Sequence, residues 1–241
     1  MLPGRRGLEE KADRMESREV VLMGRMTAGV THELKNVLAI IKECSGLLQD
    51  ILGLSKGDAV PRREQIEKMA SRIEAQVARG NEQLASLNWL GHSVSDRSTA
   101  VGINELSSEI VKLMQRFARL KQVELAVQHS EPDVTLQTDL PQLLVLIVSC
   151  LEYCLDRESP KARVVLRAGG TGEEATLGIV SESMGGSGRP ENGETDGGQL
   201  PSGLASLEPL LGRLGARLAF AGPGEGGGLR LTLPLERDEG R

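Results

Sequence analysis

One histidine in this chain has an acid directly beside it and an amide one helical turn further on. His32 is followed by Glu33, and Asn36 lies four residues after the histidine. A neutral imidazole nitrogen is a nucleophile, and a carboxylate hydrogen-bonded to the other ring nitrogen fixes the tautomer and stabilises the positive charge that develops on attack. The three residues therefore indicate the chemistry of a histidine that accepts a phosphoryl group. The alternative is an ordinary solvated surface histidine.

The surrounding apolar residues predict a long helix that displays His32 to solvent. They recur at alternating steps of four and three residues, which is the spacing of a helix-bundle seam. With Val30 at a d position, His32 takes an f position on the side of the helix away from the seam, so that Asn36 lies one turn above it and Glu33 beside it. The seam residues are Val30, Leu34, Val37, Ile41, Cys44, Leu48 and Ile51.

A second amphipathic run follows a break that contains Gly53, Gly57, Asp58 and Pro61. Two such helices joined by a short loop form an antiparallel hairpin with an apolar stripe, and a second copy of the chain can cover this stripe in a four-helix bundle. We therefore expect a homodimer; the alternative is that the stripe packs on the C-terminal half. The second run has its stripe at Ile66, Met69, Ile73, Val77, Gly80, Leu84 and Leu87.

The residues around His32 resemble the H-box of two-component histidine kinases, which is the pattern His-Glu-x-x-Asn set in an apolar helix. Here the pattern reads His32-Glu33-Leu34-Lys35-Asn36. The resemblance implies that His32 carries the phosphoryl group, that Glu33 orients the ring and takes its proton, and that Asn36 contributes to phosphatase chemistry.

The resemblance also implies that the partners are response-regulator receiver domains. We expect them to dock on the face around His32, which includes Arg25, Gly29, Lys35 and Asn36. Gly29 would allow a close approach, whereas Lys35 has the alternative interpretation of a solvated surface charge.

The hydrophobic pattern changes in the second half of the chain, after a linker predicted at residues 91–102. Strand and helix patterns alternate there, which predicts a mixed-sheet α/β sandwich with helices layered on it. The predicted elements are a helix capped by Asn104 and ending near Leu120, strands at 123–127 and 134–136, a helix at 140–155, strands at 163–167 and 175–180, a helix at 203–214, and strands at 217–221 and 229–235.

This order of elements resembles the ATP-binding domain of histidine kinases, the Bergerat or GHKL fold, but its nucleotide boxes are degraded. Leu146 and Cys150 stand at the positions we assign to the Mg²⁺-ligating asparagines, and neither offers the oxygen ligand that Mg²⁺ requires. Glu152, Glu182 and Gly203 are the remaining candidates for nucleotide binding, and residues 185–198 occupy the place of an ATP lid. We therefore expect no cofactor and no metal; ATP and Mg²⁺ would bind only in an active kinase.

Composition excludes several other classes of protein. The net charge of −5 comes from interspersed acids and bases, and aromatic residues make up 2% of the chain, so that nucleic-acid binding is not expected. No apolar run reaches the roughly 20 residues that span a bilayer, and a cytoplasmic protein is expected. Cys44, Cys150 and Cys154 lie among apolar residues, which favours buried thiols over a metal site or a disulfide.

The predicted organisation is an N-terminal segment at 1–18, a dimerisation and phosphoacceptor hairpin at 19–97, and a degenerate ATPase-like domain at 98–241. Three functions remain open for this organisation. The first is a phosphorelay transferase that exchanges phosphoryl groups with receiver aspartates through His32 without ATP. The second is a soluble histidine kinase with divergent ATP boxes, and the third is a dimeric scaffold that docks receiver domains without carrying phosphate.

Overall fold

The computed structural model describes residues 5–53, 59–93, 98–182, 200, 203–220 and 228–235, and it gives no side chains for 5–16 and 59–62. The chain divides into two compact units. The helical unit is Gly24–Leu90, and the α/β unit is Met1–Met23 together with Gly91–Arg241. Within the described residues, no helix combines the length and the apolar character needed to cross a membrane.

Two long helices, α1 (Arg5–Gly53) and α2 (Ala59–Ser93), confirm the predicted helical runs. The d positions Val30, Val37 and Cys44 of α1 are buried, whereas the a positions, Leu34, Ile41 and Leu48, are half-buried. The helices approach closely at Gly80, where an added Cβ would lie 3.3 Å from Val37 Cγ1. The predicted breakers Gly57 and Asp58 lie outside the described residues.

The apolar stripe of α2 is only partly covered within the hairpin. Val77 and Leu84 are 46% and 47% exposed to solvent, although the sequence places them on the same stripe as the buried Gly80. Ser86 and Leu90 are buried instead. The inward face of α2 is therefore rotated from the predicted stripe, and a row of apolar side chains faces outward.

The α/β unit contains a mixed five-stranded sheet and a two-stranded sheet, in agreement with the predicted sandwich. The elements are β1 (Thr99–Gly102), α3 (Ile103–Leu120), β2 (Glu124–Gln128), β3 (Thr135–Thr138), α4 (Leu140–Leu155), β4 (Arg163–Gly170), β5 (Glu174–Ser181), a 3₁₀ turn (Ala205–Leu207), α5 (Glu208–Leu214), β6 (Arg217–Phe220) and β7 (Gly228–Pro234). The larger sheet has the order β2-β4-β5-β7-β6, in which β2 and β4 are parallel and the other neighbouring strands are antiparallel; β1 pairs with β3.

Helix α4 forms the centre of the core of this unit. Twelve of its sixteen residues are buried, and it contacts β5, β7, α3 and α5. Its N-cap is Asp139, whose carboxylate accepts a hydrogen bond from the Gln142 backbone N–H, and Pro141 lies in the first turn, where a missing N–H costs nothing. These signals are local, and the bounds of α4 agree with the prediction.

Two predictions about the start of the α/β unit are wrong. Strand β1 lies inside the segment that the sequence assigns to a linker. Asn104 is not the N-cap of α3, because the helix begins at Ile103 and Gly102 is its cap residue. The backbone N–H of Asn104 donates instead to the carboxylate of Asp133 (3.1 Å), and its side chain bonds the backbone of Ser130.

Candidate functional site

His32 lies on α1 with its side chain exposed to solvent, as its f position predicts. Asn36 Nδ2 lies 3.4 Å from His32 Nδ1. The amide donates to this ring nitrogen when the ring proton is on Nε2, and the opposite tautomer leaves Nε2 unprotonated for attack. The exposed ring can therefore meet an incoming phosphoryl group while Asn36 remains one turn away.

Glu33 is buried in the helical unit, with 6% of its surface exposed. Its Oε2 accepts a hydrogen bond from Arg79 Nη2 at 2.8 Å, and this ion pair joins α1 to α2. Val30, Glu33 and Val37 follow each other at steps of three and four along the buried side of α1. Arg79 lies outside the motif, and its one sequence signal is its place next to Gly80 on the predicted stripe of α2.

The residues proposed for docking do not all share one accessible face. Arg25, Lys35 and Asn36 are exposed, as the prediction requires. Gly29 is buried, so it adds no accessible surface for a partner. A partner that approaches His32 therefore meets a face with two cationic side chains and one amide.

The outward side of α4 differs from the predicted one. Leu146 and Cys150 are fully buried. Ser149, Glu152, Tyr153 and Cys154 are half-exposed. A side chain of α4 that faces a ligand would therefore come from these four positions, and the assignment of Leu146 and Cys150 to the nucleotide-facing side is corrected.

Gly203 lies against the ring of Tyr153. A Cβ added to Gly203 would lie 3.1 Å from Tyr153 Cε2 and 3.2 Å from Cδ2. The guanidinium of Arg157 stacks on the same ring, 3.4 Å from its centroid, and its Nη1 donates to the Tyr153 carbonyl. Because Gly203 has no side chain, the Tyr153 ring can lie close to it, and the cation–π contact with Arg157 holds the ring there.

Glu182 is held by arginines of the neighbouring strand. Its two carboxylate oxygens lie 3.0 Å from Arg167 Nη2 and 3.4 Å from Arg163 Nη1. Arg163 also pairs with Glu124 on β2 at 3.2 Å. Of the three candidate nucleotide residues, Glu152 lies next to the Tyr153 that Gly203 contacts, whereas Glu182 belongs to this ion-pair network at the end of β5.

Comparison with known proteins finds a similar protein among the sensor histidine kinases. No protein-family model matches the chain. The sensor histidine kinase ZraS of Salmonella typhi is 22% identical over 181 residues, which are 74% of this chain. The chain is similar in sequence to a two-component sensor histidine kinase. It spans 37% of the length of ZraS.

Three solved structures that are similar to this chain are histidine kinases. ThkA in complex with the response regulator protein TrrA has a TM-score of 0.47 at 14% identity, covering 98% of this chain and 68% of that one. A histidine kinase of Burkholderia phymatum has a TM-score of 0.47 at 9% identity, with 86% and 97% covered. AdeS of Acinetobacter baumannii has a TM-score of 0.44 at 13% identity, with 86% and 98% covered.

Two thiols on α4 are expected to be unreactive. Burial, with a smaller contribution from the nearby Cys154, raises the pKa of Cys150 to about 12. Burial also raises the pKa of Cys154 to about 12, with Glu158 adding to the rise and Arg157 opposing it. Because the thiolate is the reactive form, alkylation at pH 8 should be roughly a thousandfold slower than for a free cysteine. Mass spectrometry after iodoacetamide treatment, with and without urea, measures this; alkylation of the native protein at the free-thiol rate would contradict it.

Proposed function

We propose that this protein is a phosphorelay protein of two-component signalling, in which His32 exchanges phosphoryl groups with receiver-domain aspartates without using ATP. The observation that carries the proposal is the exposed imidazole of His32 in a histidine-kinase-like motif, with Asn36 one turn above it. The relationship to a sensor histidine kinase supports the same class of chemistry.

The proposed transfer needs few groups from this chain. The unprotonated nitrogen of His32 attacks the phosphorus of an aspartyl phosphate, and the phosphorus–oxygen bond to the aspartate breaks as the nitrogen–phosphorus bond forms. The receiver supplies Mg²⁺ and its acidic pocket, so that this chain contributes a nucleophile, a group that holds the ring proton and a docking face. Glu33 is the proposed proton-holding group, and Arg25 and Lys35 are the proposed docking residues.

The α/β unit supports a transfer that is independent of nucleotide. A phosphate cradle uses glycine backbone amides at a helix start, and Mg²⁺ requires oxygen ligands. Gly203 instead packs on the Tyr153 ring, which Arg157 covers. Glu182, the proposed replacement for an adenine-binding acid, pairs with Arg163 and Arg167.

An active soluble kinase is the second candidate, because the curated relative is a sensor histidine kinase. In that case Glu152, Glu182 and Gly203 would have to hold ATP and Mg²⁺. Glu182 would have to leave its two arginines, and the Tyr153 ring would have to leave Gly203. A docking scaffold without phosphate chemistry is the third candidate.

We also propose that the helical unit forms a homodimer by completing a four-helix bundle with a second copy. Leu38, Leu47 and Leu52 on α1 and Val77 and Leu84 on α2 are between 41% and 64% exposed. Exposed apolar residues repeated along two helices indicate a surface that is covered in the assembled protein. The half-buried a positions of α1 would be covered by the same contact.

The choice of phosphoryl donor tests the proposed function. The purified protein should take label from a phosphorylated receiver domain and none from radiolabelled ATP with Mg²⁺, because the residues of the α/β unit that the structure describes offer no open phosphate cradle beside α4. Both reactions are followed on one gel, with His32→Ala as the control. Label from ATP on His32 would replace this proposal by the kinase, and no label from either donor would favour the scaffold.

A further inference from the structure

We propose that Arg79 is a positioning residue for the transfer at His32, because it holds the carboxylate of Glu33, the next residue in sequence, in one place and in its ionised form. The inference rests on the proposed function and deepens it, since the sequence motif contains no residue of α2. According to this inference, α2 acts on Glu33, the residue proposed to hold the ring proton of His32.

The burial of Glu33 makes a counter-charge necessary. Its side chain is 8% exposed, and Arg79 Nη2 lies 2.8 Å from Oε2. Burial disfavours the charged form of a carboxyl group, and an opposite charge within hydrogen-bond distance restores it. A buried carboxylate that loses its partner is strongly destabilised and takes up a proton instead.

The backbone geometry brings Arg79 to the level of Glu33. Gly80 allows α2 to approach α1 so closely that an added Cβ would meet Val37 Cγ1 at 3.3 Å, one turn beyond Glu33. The Arg79 side chain is 40% exposed, so its guanidinium reaches the buried carboxylate from the side of the hairpin.

The positions three and four residues away from Glu33 and Arg79 share their sides of the two helices and carry one charge. Lys35, two positions after Glu33, is exposed. On α1 the residues three and four positions from Glu33 are uncharged, and its direct neighbour in sequence is His32. On α2 one acid, the exposed Glu82, is three positions from Arg79. The other positions three and four residues away from Glu33 and Arg79 are occupied by uncharged residues, which are Gly29, Val30, Asn36, Val37, Ala75, Gln76 and Gln83.

The ionised state of Glu33 is what the transfer requires. As one nitrogen of the imidazole attacks phosphorus, the ring becomes positively charged. An anionic carboxylate that accepts a hydrogen bond from the other ring nitrogen stabilises this charge. A neutral carboxyl group neither accepts the proton nor provides this stabilisation. Arg79 touches neither His32 nor the phosphoryl group in this scheme, and its effect passes through Glu33.

Three variants of α2 test the proposal on the full-length protein. Arg79→Met removes the charge and keeps much of the side-chain volume, Arg79→Lys keeps the charge, and Arg72→Met is the matched control at an exposed position one heptad earlier. Transfer from a phosphorylated receiver at pH 7 should fall about tenfold or more in Arg79→Met, since a buried carboxyl group that loses its counter-charge takes up a proton, and general acid–base catalysis contributes about 10²–10⁴-fold to a rate. Arg79→Lys should recover most of the rate, and Arg72→Met should match the wild type.

A spectroscopic measurement separates this role from a merely structural one. The carboxyl ¹³C signal of Glu33 at pH 7 should be that of a carboxylate in the wild type and shift towards the neutral acid in Arg79→Met, with circular dichroism confirming the helical content. In a Glu33→Gln background, Arg79→Met should have no further effect on the rate, because the group it acts on is gone.

Two results would overturn the proposal while the proposed function stands. One is a wild-type rate and an unchanged carboxyl signal in Arg79→Met. The other is a fall in rate on Arg79→Met that is as large in the Glu33→Gln background as in the wild-type protein. If no donor labels the wild-type protein, the proposed function fails and the positioning role fails with it.

Discussion

Replacing His32 with alanine is expected to abolish labelling by a phosphorylated receiver domain while the fold remains intact. The side chain is exposed, so its removal should change the free energy of unfolding by no more than about 0.5 kcal/mol. The nucleophile is lost altogether, and in other enzymes such a loss lowers the rate by at least about a thousandfold. Autoradiography measures the transfer, and thermal unfolding followed by circular dichroism measures the fold.

His92→Ala is the matched control for this experiment, since His92 is also an exposed histidine on a helix of the hairpin. It should take label at the wild-type rate. Persistent label in the His32→Ala protein would show that another residue accepts the phosphoryl group, and the role assigned to His32 would then be withdrawn.

The position of His32 could be predicted because it depends on local periodicity. The apolar residues of α1 repeat over six turns, and this repeat alone assigns His32 to the solvent side and Val37 and Cys44 to the buried side. The ion pair of Glu33 could not be predicted in this way. It depends on which residue of α2 lies opposite, and the register between two helices is set by contacts such as Gly80 on Val37.

The α/β unit has more features that local sequence signals do not reveal. The ends of α4 follow from Asp139 and Pro141, which are local signals. Its outward face does not follow, because a helix that is apolar on nearly all sides carries no periodic signal, and for this reason Leu146 and Cys150 were assigned to the wrong side. Strand β1 was missed because its four residues are ordered only by pairing with β3, more than thirty positions later.

The candidate site therefore combines residues with different kinds of sequence signal. His32 and Asn36 are four positions apart on one helix, and a motif can capture them. Arg79 comes from α2, 46 positions after Glu33, and acts only through a tertiary contact. On the role proposed for Arg79, a substitution on α2 is therefore expected to lower the transfer rate, although α2 carries none of the motif residues.

Replacing both Val77 and Leu84 with aspartate is expected to convert the proposed dimer into a monomer. The two residues are one heptad apart on α2 and are nearly half-exposed in the single hairpin. A dimer would bury four such side chains, each contributing about 1.5–3 kcal/mol on full burial, and aspartates there would also bring like charges together. The dissociation constant should therefore rise by about a thousandfold or more.

Sedimentation equilibrium over a range of protein concentrations measures this change. Leu120→Asp is the matched control, because Leu120 is an equally apolar and more exposed residue (69%) at the end of α3 in the α/β unit, outside the hairpin. The control should remain dimeric, and both variants should keep the wild-type helical content. A wild-type protein that is monomeric at micromolar concentration would remove the dimer. A double variant that associates as strongly as the wild type would place the dimer contact elsewhere. In either case, the exposed apolar row on α2 would belong to a different partner.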